Sequence, residues 1–589
     1  PGRDVTPRHP EVPRGTRGTP LARIIARVRC RFIALLMLLC LVACERGEKP
    51  VTGSAALPPI DSSKPQDGGT LVRRLNLDIS TLNPLALASR YDRYVANYLF
   101  TPVVYLDRNL QPIPGLADSW EISDDGLTYR FELNQKATFS NGRPVRASDV
   151  VYTLRKIADP KTEAVQAHDA FASLDVEKTR AIDDHTVEVV FRERLAAQLM
   201  RFIDVMVIPE DIYSAGDFRK DFISRAVGSG PYTLVRRDVG KEVVLQRRKD
   251  YWGERPHIET VIFKVINDHS TAFNALKQGV LDESLITADT WLRERNNPQN
   301  TRTIDFQRFY TLNYNYIAWN GHHPILKDKR VRRAMSMCIP LDVVVQELYQ
   351  GTARAMSGPF TADEWAYNPT VPVVKYDPAG AQELLTAAGW RDTNNDGVLD
   401  KDGKPLAFDL IAMTGSATTK QVAQLAQSEL KKVGAQVDIV MMDGSQAIGQ
   451  LMKGNYDAAY LSWDLDPDPD PYAIFHSTQV PANGGQNFVF YSNPEADRIM
   501  EEARHELDPS KRKDQYWRLH EIMAEDQPYT WIVQVSAKWG LNKRLQGVVS
   551  SRGFGFFQWY PGELGWWIAS PQGDAQPRTA GTARASAGS

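Results

Sequence analysis

The chain has 589 residues, 42% apolar and 24% charged, with a formal net charge of -2; this is more than one hydrophobic core accommodates and predicts two or three domains. The charge is uneven: residues 1–43 carry eight arginines, no lysine and two acids, leaving 62 basic against 70 acidic residues beyond them. That balance does not fit a nucleic-acid-binding surface, and with Cys338 the one cysteine after Cys44 no internal disulfide is expected in the body.

Taken in chain order, Arg23, Arg27, Arg29 and Arg31 precede an uncharged run from Phe32 to Ala43. The run is too short to cross a hydrocarbon layer of about 30 Å, which takes roughly 20 helical residues. Basic residues followed by a short apolar run read as an export signal over 1–43, with a basic extension at its start. The signal ends in Leu41, Val42, Ala43 and Cys44. This resembles the lipobox of bacterial lipoproteins, and the resemblance implies that Cys44 is lipidated. Location is then expected to be the periplasm or the outer face of the cell membrane, held through the lipid anchor alone. Residues 44–65, rich in Pro, Ser, Gly and charge, read as a tether, and 571–589 as a disordered tail.

Strands and helices are mixed through the body. Thr128–Leu133 alternates apolar and polar residues after the turn Asp124–Gly126, which predicts a half-buried strand. Ser148 is the expected N-cap of a helix through Val150, Val151 and Leu154. Tyr232–Arg237 and Glu242–Arg247 flank a Gly-containing turn and predict a hairpin. Helices are expected over Thr271–Gln278, stopped by Gly279, and over Gln382–Ala388, Lys420–Val433 and Ser510–Glu525. Cys338, in an apolar helical stretch, is expected to be a buried, inert thiol.

Several blocks then fall in a familiar order: Phe100–Tyr105, Pro114–Trp120, Ser123–Tyr129, Phe139–Gly142, Ala147–Tyr152, Gly228–Tyr232, Tyr251–Gly253, Leu276–Gly279 with Asp282, and Lys329–Ala334 with Gly351. Together they resemble the family-five extracellular solute-binding proteins, which include the peptide-binding lipoproteins of bacterial ABC importers. Ile339-Pro340-Leu341 departs from the family's Ile-Asp-Arg, and Pro340 is expected to start the next helix, where its missing N–H costs nothing. Asn134 stands where an Arg is common. The resemblance implies an α/β, type II periplasmic-binding-protein-like body, with two α/β lobes hinged around a cleft and an extra inserted domain. Domain I would be assembled from 66–111, 226–312 and 530–570; domain II, 112–225, would be inserted into it; domain III would be 313–529.

The most chemical segment is Trp463–Tyr472. Every second residue from Asp464 to Asp470 is Asp, and Pro occupies 467, 469 and 471. Prolines remove backbone donors, so the run reads as an extended loop rather than a central strand. Most of its four carboxylates are expected to be solvated, with Asp464, Asp468 and Asp470 at the surface or rim. The family places an aspartate three residues after a tryptophan, pairing the ligand's ammonium terminus; Trp463 and Asp466 match that spacing. The resemblance thus implies Asp466 as the ammonium partner and Trp463 as an apolar wall or cation–π face. Leu87–Tyr91 resembles the family's cleft-lining loop, which makes Tyr91 a further candidate, though a surface or core tyrosine fits equally.

Asp392, Asn394, Asp396 and Asp400 resemble the start of a calcium loop, but Gly403 stands where the bidentate Glu belongs, so a plain Asx-rich turn is the favoured reading. The pair His322-His323 is read as solvated rather than metal-ligating, and no cofactor is expected. No nucleophile elbow, P-loop or dinucleotide fingerprint is present, so an enzyme is not expected. The expected function is a monomeric receptor that gives a peptide or peptide-like ligand to an ABC permease and ATPase. An exported hydrolase, a sensory or chaperone lipoprotein, and a receptor for a nickel chelate, haem or modified peptide remain as alternatives.

Overall fold

A computed structural model describes residues 64–569 except 88, 163, 215–221 and 223–225. The export signal, Cys44, the tether through residue 63 and the tail from 571 lie outside the described residues. No helix among the described residues is long and apolar enough to cross a membrane.

Three sheets organise the body. The first has the order Thr70–Leu75, Thr260–Val265, Glu242–Arg247, Tyr232–Asp238. Its first pair is parallel and the rest antiparallel, the last two forming the expected hairpin. The second has the order Ala117–Ile122, Thr128–Leu133, Thr186–Val190, Arg180–Ala181. Here Tyr129, Phe131 and Leu133 point into the core as their alternation predicts.

The third sheet is built on the 14-residue strand Tyr529–Asn542. One end of that strand pairs with Asn313–Trp319, and the other with Ile304–Tyr310 and Glu283–Leu285. Beyond Asn313–Trp319 follow Ala458–Asp464, Ala407–Met413 and Gln436–Met442. Strands from widely separated parts of the chain therefore share one backbone. Separate apolar clusters lie along the sheet: one gathers Trp319, Leu410, Leu430 and Ile532, another Tyr316, Leu461, Tyr516 and Tyr529.

The helices follow their caps. Asp508 accepts from the backbone N–H groups of Ser510 and Lys511 and starts Pro509–Asp526, with Pro509 pre-set for the first turn. Asp268 starts His269–Lys277, and Gly279, at φ +70°, stops it. Pro340 precedes the helical turn Leu341–Val343 as expected. The helix over Ala147–Ala158 corrects the sequence reading. Its cap is not Ser148: the buried carboxylate of Asp149 accepts from Arg146 N at 2.9 Å. The same carboxylate takes the Arg143 guanidinium and the N–H of Glu210, contacts that the Ser148 hydroxyl could not replace. Cys338 is buried and unpaired, and burial pushes its thiol up to about 12, away from the thiolate a nucleophile needs.

Candidate ligand-binding site

The acidic run begins at the end of a strand. Ala458–Asp464 lies antiparallel to Asn313–Trp319, with Tyr314 opposite Trp463 and Asn313 opposite Asp464. Leu465 N continues the contact to Leu312 O at 2.8 Å, after which the chain leaves the sheet. Trp463 is half-buried and donates from Nε1 to the Tyr529 hydroxyl at 3.3 Å. Its indole lies nearly parallel to Tyr316 and Phe488, with ring centroids 6.3 and 5.9 Å away. These contacts fix the plane of the ring just before the loop.

The four aspartates then divide into two kinds. Asp464 and Asp466 are exposed to solvent. Asp468 and Asp470 are not, which corrects the expectation that both sit at the surface or rim. Asp468 forms a two-oxygen ion pair with Arg512 Nη1, at 2.9 and 2.8 Å, and both side chains are nearly buried. Arg512 also donates to Pro469 O and stacks over Trp365 and Tyr516. Asp470 lies 3.5 Å from Arg504, which stacks over Tyr472, and accepts from the N–H of Tyr472. Burying these carboxylates is tolerable because each has a cation and hydrogen bonds. The two pairs clamp the far half of the run.

Asp466 stands at the change. Water reaches its side chain, yet burial pushes its carboxyl up to about 6; Asp204 adds to the rise, Arg201 opposes it, and Asp470 and Asp468 add more. A group that solvent reaches and that protein nonetheless desolvates lies in a recess. The Arg201 and Asp204 charges both come from the 3-10 turn Leu199–Asp204. Asp204 is paired with Arg93 at 2.5 Å, and Arg201 donates to Ala170 O at 2.8 Å. Arg90 reaches Asp464 at 3.8 Å.

Tyr91 is the second residue of the helix Arg90–Leu99, whose start is fixed by a capping box between Ser89 and Asp92. It is half-buried, edge-on to Tyr94, and Tyr94 stacks on Phe557. The same helix start carries Arg90 and Arg93, so the structure brings the Tyr91 segment to the acidic run through these two arginines. Arg90, Arg93, Arg201 and Asp204 were not singled out from the sequence. Their types are ordinary surface residues, and their relation to Asp466 exists only after folding.

The remaining candidates lie elsewhere. Asp392, Asn394, Asp396 and Asp400 form a self-contained turn. Asp392 accepts from Gly397 N, Asn394 bonds Asp396, and Asp400 takes both the N–H and hydroxyl of Thr393. His323 lies 3.5 Å from Asp457, and His322 stacks on Phe490. These two histidines line a cavity of about 450 Å³ with Asp409, Met442 and Asp457. A second cavity of about 450 Å³ lies between Lys329, Arg333, Val371, Leu384 and Glu525. Neither is lined by residues 463–470, so cavity size and the chemistry of the acidic run point to different places.

This arrangement of sheets, with a charged recess beside a shared long strand, is the fold of the type II periplasmic binding proteins. The chain belongs to the bacterial extracellular solute-binding proteins, family 5, whose middle region matches residues 111–486. It is 28% identical over 527 residues to the oligopeptide-binding protein AppA of Bacillus subtilis, covering 87% of this chain and 94% of that protein. The structure of that AppA in complex with a nonapeptide superposes with a TM-score of 0.71 at 26% identity, over 86% of this chain and all of the other. NikZ of Campylobacter jejuni, in complex with Ni(L-His), superposes with a TM-score of 0.71 at 25% identity, over 85% of this chain and 99% of the other.

Proposed function

We propose that this protein is the receptor of an ABC importer and captures peptides in a closing cleft, with Asp466 pairing the ligand's ammonium terminus. The observation that carries the reading is the state of Asp466: reached by water, desolvated by its surroundings, and only partly offset by the Arg201 charge. An incoming ammonium supplies the charge and hydrogen-bond donors that such a carboxylate favours. Trp463, held in plane by Tyr316, Phe488 and Tyr529, would form the apolar wall beside it. Tyr91 would line the opposite side. The likeness to a nonapeptide-bound relative supports a peptide as the cargo.

The reading extends to a three-part body, with 112–225 inserted into a domain made of 66–111, 226–312 and 530–570, and with 313–529 as the other lobe. It also includes a lipid anchor at Cys44, delivery to a permease and ATPase, and transport rather than catalysis. A nickel chelate is the second cargo to test, because a relative with that ligand shares the fold.

The test is calorimetry with one peptide in two forms, free and N-acetylated. Wild-type protein is expected to prefer the free amine, and Asp466→Asn to lose that preference while keeping its residual affinity for the acetylated form. Equal losses for both forms would remove the ammonium role. Native mass spectrometry of material copurified with the protein separates peptide from nickel chelate by mass.

A further inference from the structure

A second charged face lies along the other half of the long strand. Gln534, Ser536 and Lys538 alternate onto one face of Tyr529–Asn542. Arg308 is the register partner of Lys538, and Tyr310 of Ser536, so their side chains share that face. Arg354 is the partner of Gln534 and donates to its amide oxygen at 2.5 Å. The short helix Ala288–Glu294 brings Trp291 over the same face. The result is a ladder. Arg295 lies 4.1 Å from the centre of the Trp291 ring, Arg308 lies 5.6 Å from Trp291 and 5.7 Å from Tyr310, and Arg354 lies 4.3 Å from Tyr310.

The ladder's two ends differ in charge balance. At one end Arg354 is neutralised by Asp363, which also accepts from Gln534. At the other, Lys538 is 8% exposed and gives its hydrogen bond to its own strand's Ser536 carbonyl at 2.7 Å. Its charged neighbour, Arg308, bonds the Gly351 carbonyl at 2.9 Å. Burial and Arg308 both act against the Lys538 charge and lower its pKa to about 8. Asp289, on the same helix as Trp291, takes a hydrogen bond from Gln350 instead. Two donors at this end, Trp291 Nε1 and Arg295 Nε, are buried without a hydrogen-bond partner.

We infer that Lys538, Arg308, Arg295 and the Trp291 N–H form a binding site for a small tetrahedral oxyanion of the phosphate or sulfate class. Like charges set directly opposite each other on neighbouring strands oppose folding, and a buried ammonium needs a counter-charge. An oxyanion accepts from a guanidinium fork, an ammonium and an indole N–H together, which is the donor set on this face. The site uses none of the residues of the acidic run: its side chains come from the helix Ala288–Glu294 and its C-cap, the strand Ile304–Tyr310 and the strand Tyr529–Asn542.

The test is titration of the full chain with inorganic phosphate and with sulfate at pH 7, against chloride at matched ionic strength. The wild type is expected to bind the oxyanions and gain thermal stability beyond the chloride control. Arg308→Gln and Lys538→Met are expected to weaken binding by at least about tenfold and to erase the excess stabilisation. Free-amine peptide binding should be unchanged in both, which keeps this site distinguishable from the one at Asp466. Oxyanion affinity equal in wild type and Arg308→Gln would overturn the assignment, as would stabilisation no greater than that of chloride. If Lys538→Met does not fold, the exposed Arg308→Gln and the half-buried Arg295→Gln decide the matter.

Discussion

Arg90 Nη2 lies 3.8 Å from Asp464 Oδ2, joining the first residue of the helix Arg90–Leu99 to the last residue of the strand Ala458–Asp464. The two side chains are 63% and 79% exposed. At that exposure an ion pair contributes roughly 0–1 kcal/mol to stability. Its position matters more than its strength, because it links the Tyr91 segment to the acidic run beside Asp466. Arg90→Ala is therefore expected to leave the melting temperature almost unchanged and to speed peptide dissociation. The acceleration should shrink as salt rises toward about 1 M, where the Debye length falls to roughly 3 Å. Stopped-flow dissociation at two salt concentrations measures both effects; a rate that does not respond to Arg90→Ala would limit this pair to surface decoration.

Asp466 predicts a pH dependence of binding. Its carboxyl is pushed up to about 6 by burial and by Asp204, Asp470 and Asp468, against Arg201. Below that pH the free protein holds a neutral acid, which pairs poorly with an ammonium. Affinity for a free-amine peptide is expected to fall as pH drops through about 6, and to stay flat for Asp466→Asn. The effect on stability has the opposite sign. A folded-state carboxyl with a raised pKa favours the folded state as it protonates, so its unfavourable contribution is present at neutral pH and disappears as pH falls from about 6 toward the ordinary carboxylate range. Asp466→Asn should accordingly raise the melting temperature at pH 7.5 and not at pH 4.5, which thermal denaturation at the two pH values would measure.

Arg512 and Asp468 make a contrasting prediction. Both are nearly buried, and the pair holds the far half of the acidic loop. Removing one member leaves the other buried without a partner, at a cost of roughly 3–5 kcal/mol. Arg512→Leu is expected to lower stability by about that much. Adding Asp468→Asn should recover part of the loss, since the stranded charge is then gone. Chemical denaturation of the two single variants and the double variant gives the coupling; additive losses would show that the pair acts independently of its charges.

Parts of this fold were legible in the sequence because local patterns decided them. Tyr129, Phe131 and Leu133 alternate and are buried as a strand face, and the hairpin turns at Gly240 with φ +73°. The helix start at 147 was misread because Ser148 lies inside the first turn, whose N-cap backbone is satisfied by Asp149, and Arg143 and Glu210 bind that carboxylate from outside the helix. Asp466 was singled out only through its spacing from Trp463 and the family resemblance. Its neighbours were not, because Arg201 and Asp204 arrive from a distant segment. Nor was the burial of Asp468, since an Asp-Pro repeat reads as solvated until Arg512, 44 residues on, is placed against it.

His520 supplies a further prediction. It is fully buried; Asn368 N donates to Nδ1 at 3.1 Å, and Nε2 lies 3.1 Å from the Ser357 hydroxyl. With Nδ1 accepting, the ring is the neutral tautomer that carries its proton on Nε2. Burial lowers its pKa to about 4. The folded state therefore binds this proton less readily than the unfolded chain, whose histidine titrates near 6.5. The stabilising contribution is complete above about 6.5 and is lost as pH falls from there to about 4, a total on the order of 3 kcal/mol. His520→Gln is expected to be less stable than wild type at pH 7.5, because it repacks a close contact. A Cβ added at Gly358 would come within 2.2 Å of the imidazole, so the surrounding space is already filled. The difference between wild type and variant should narrow steadily between pH 6.5 and pH 4, as the wild type alone loses the contribution. Urea denaturation across that range measures it, and a gap that stayed constant with pH would show that protonation of this ring plays no part in acid unfolding.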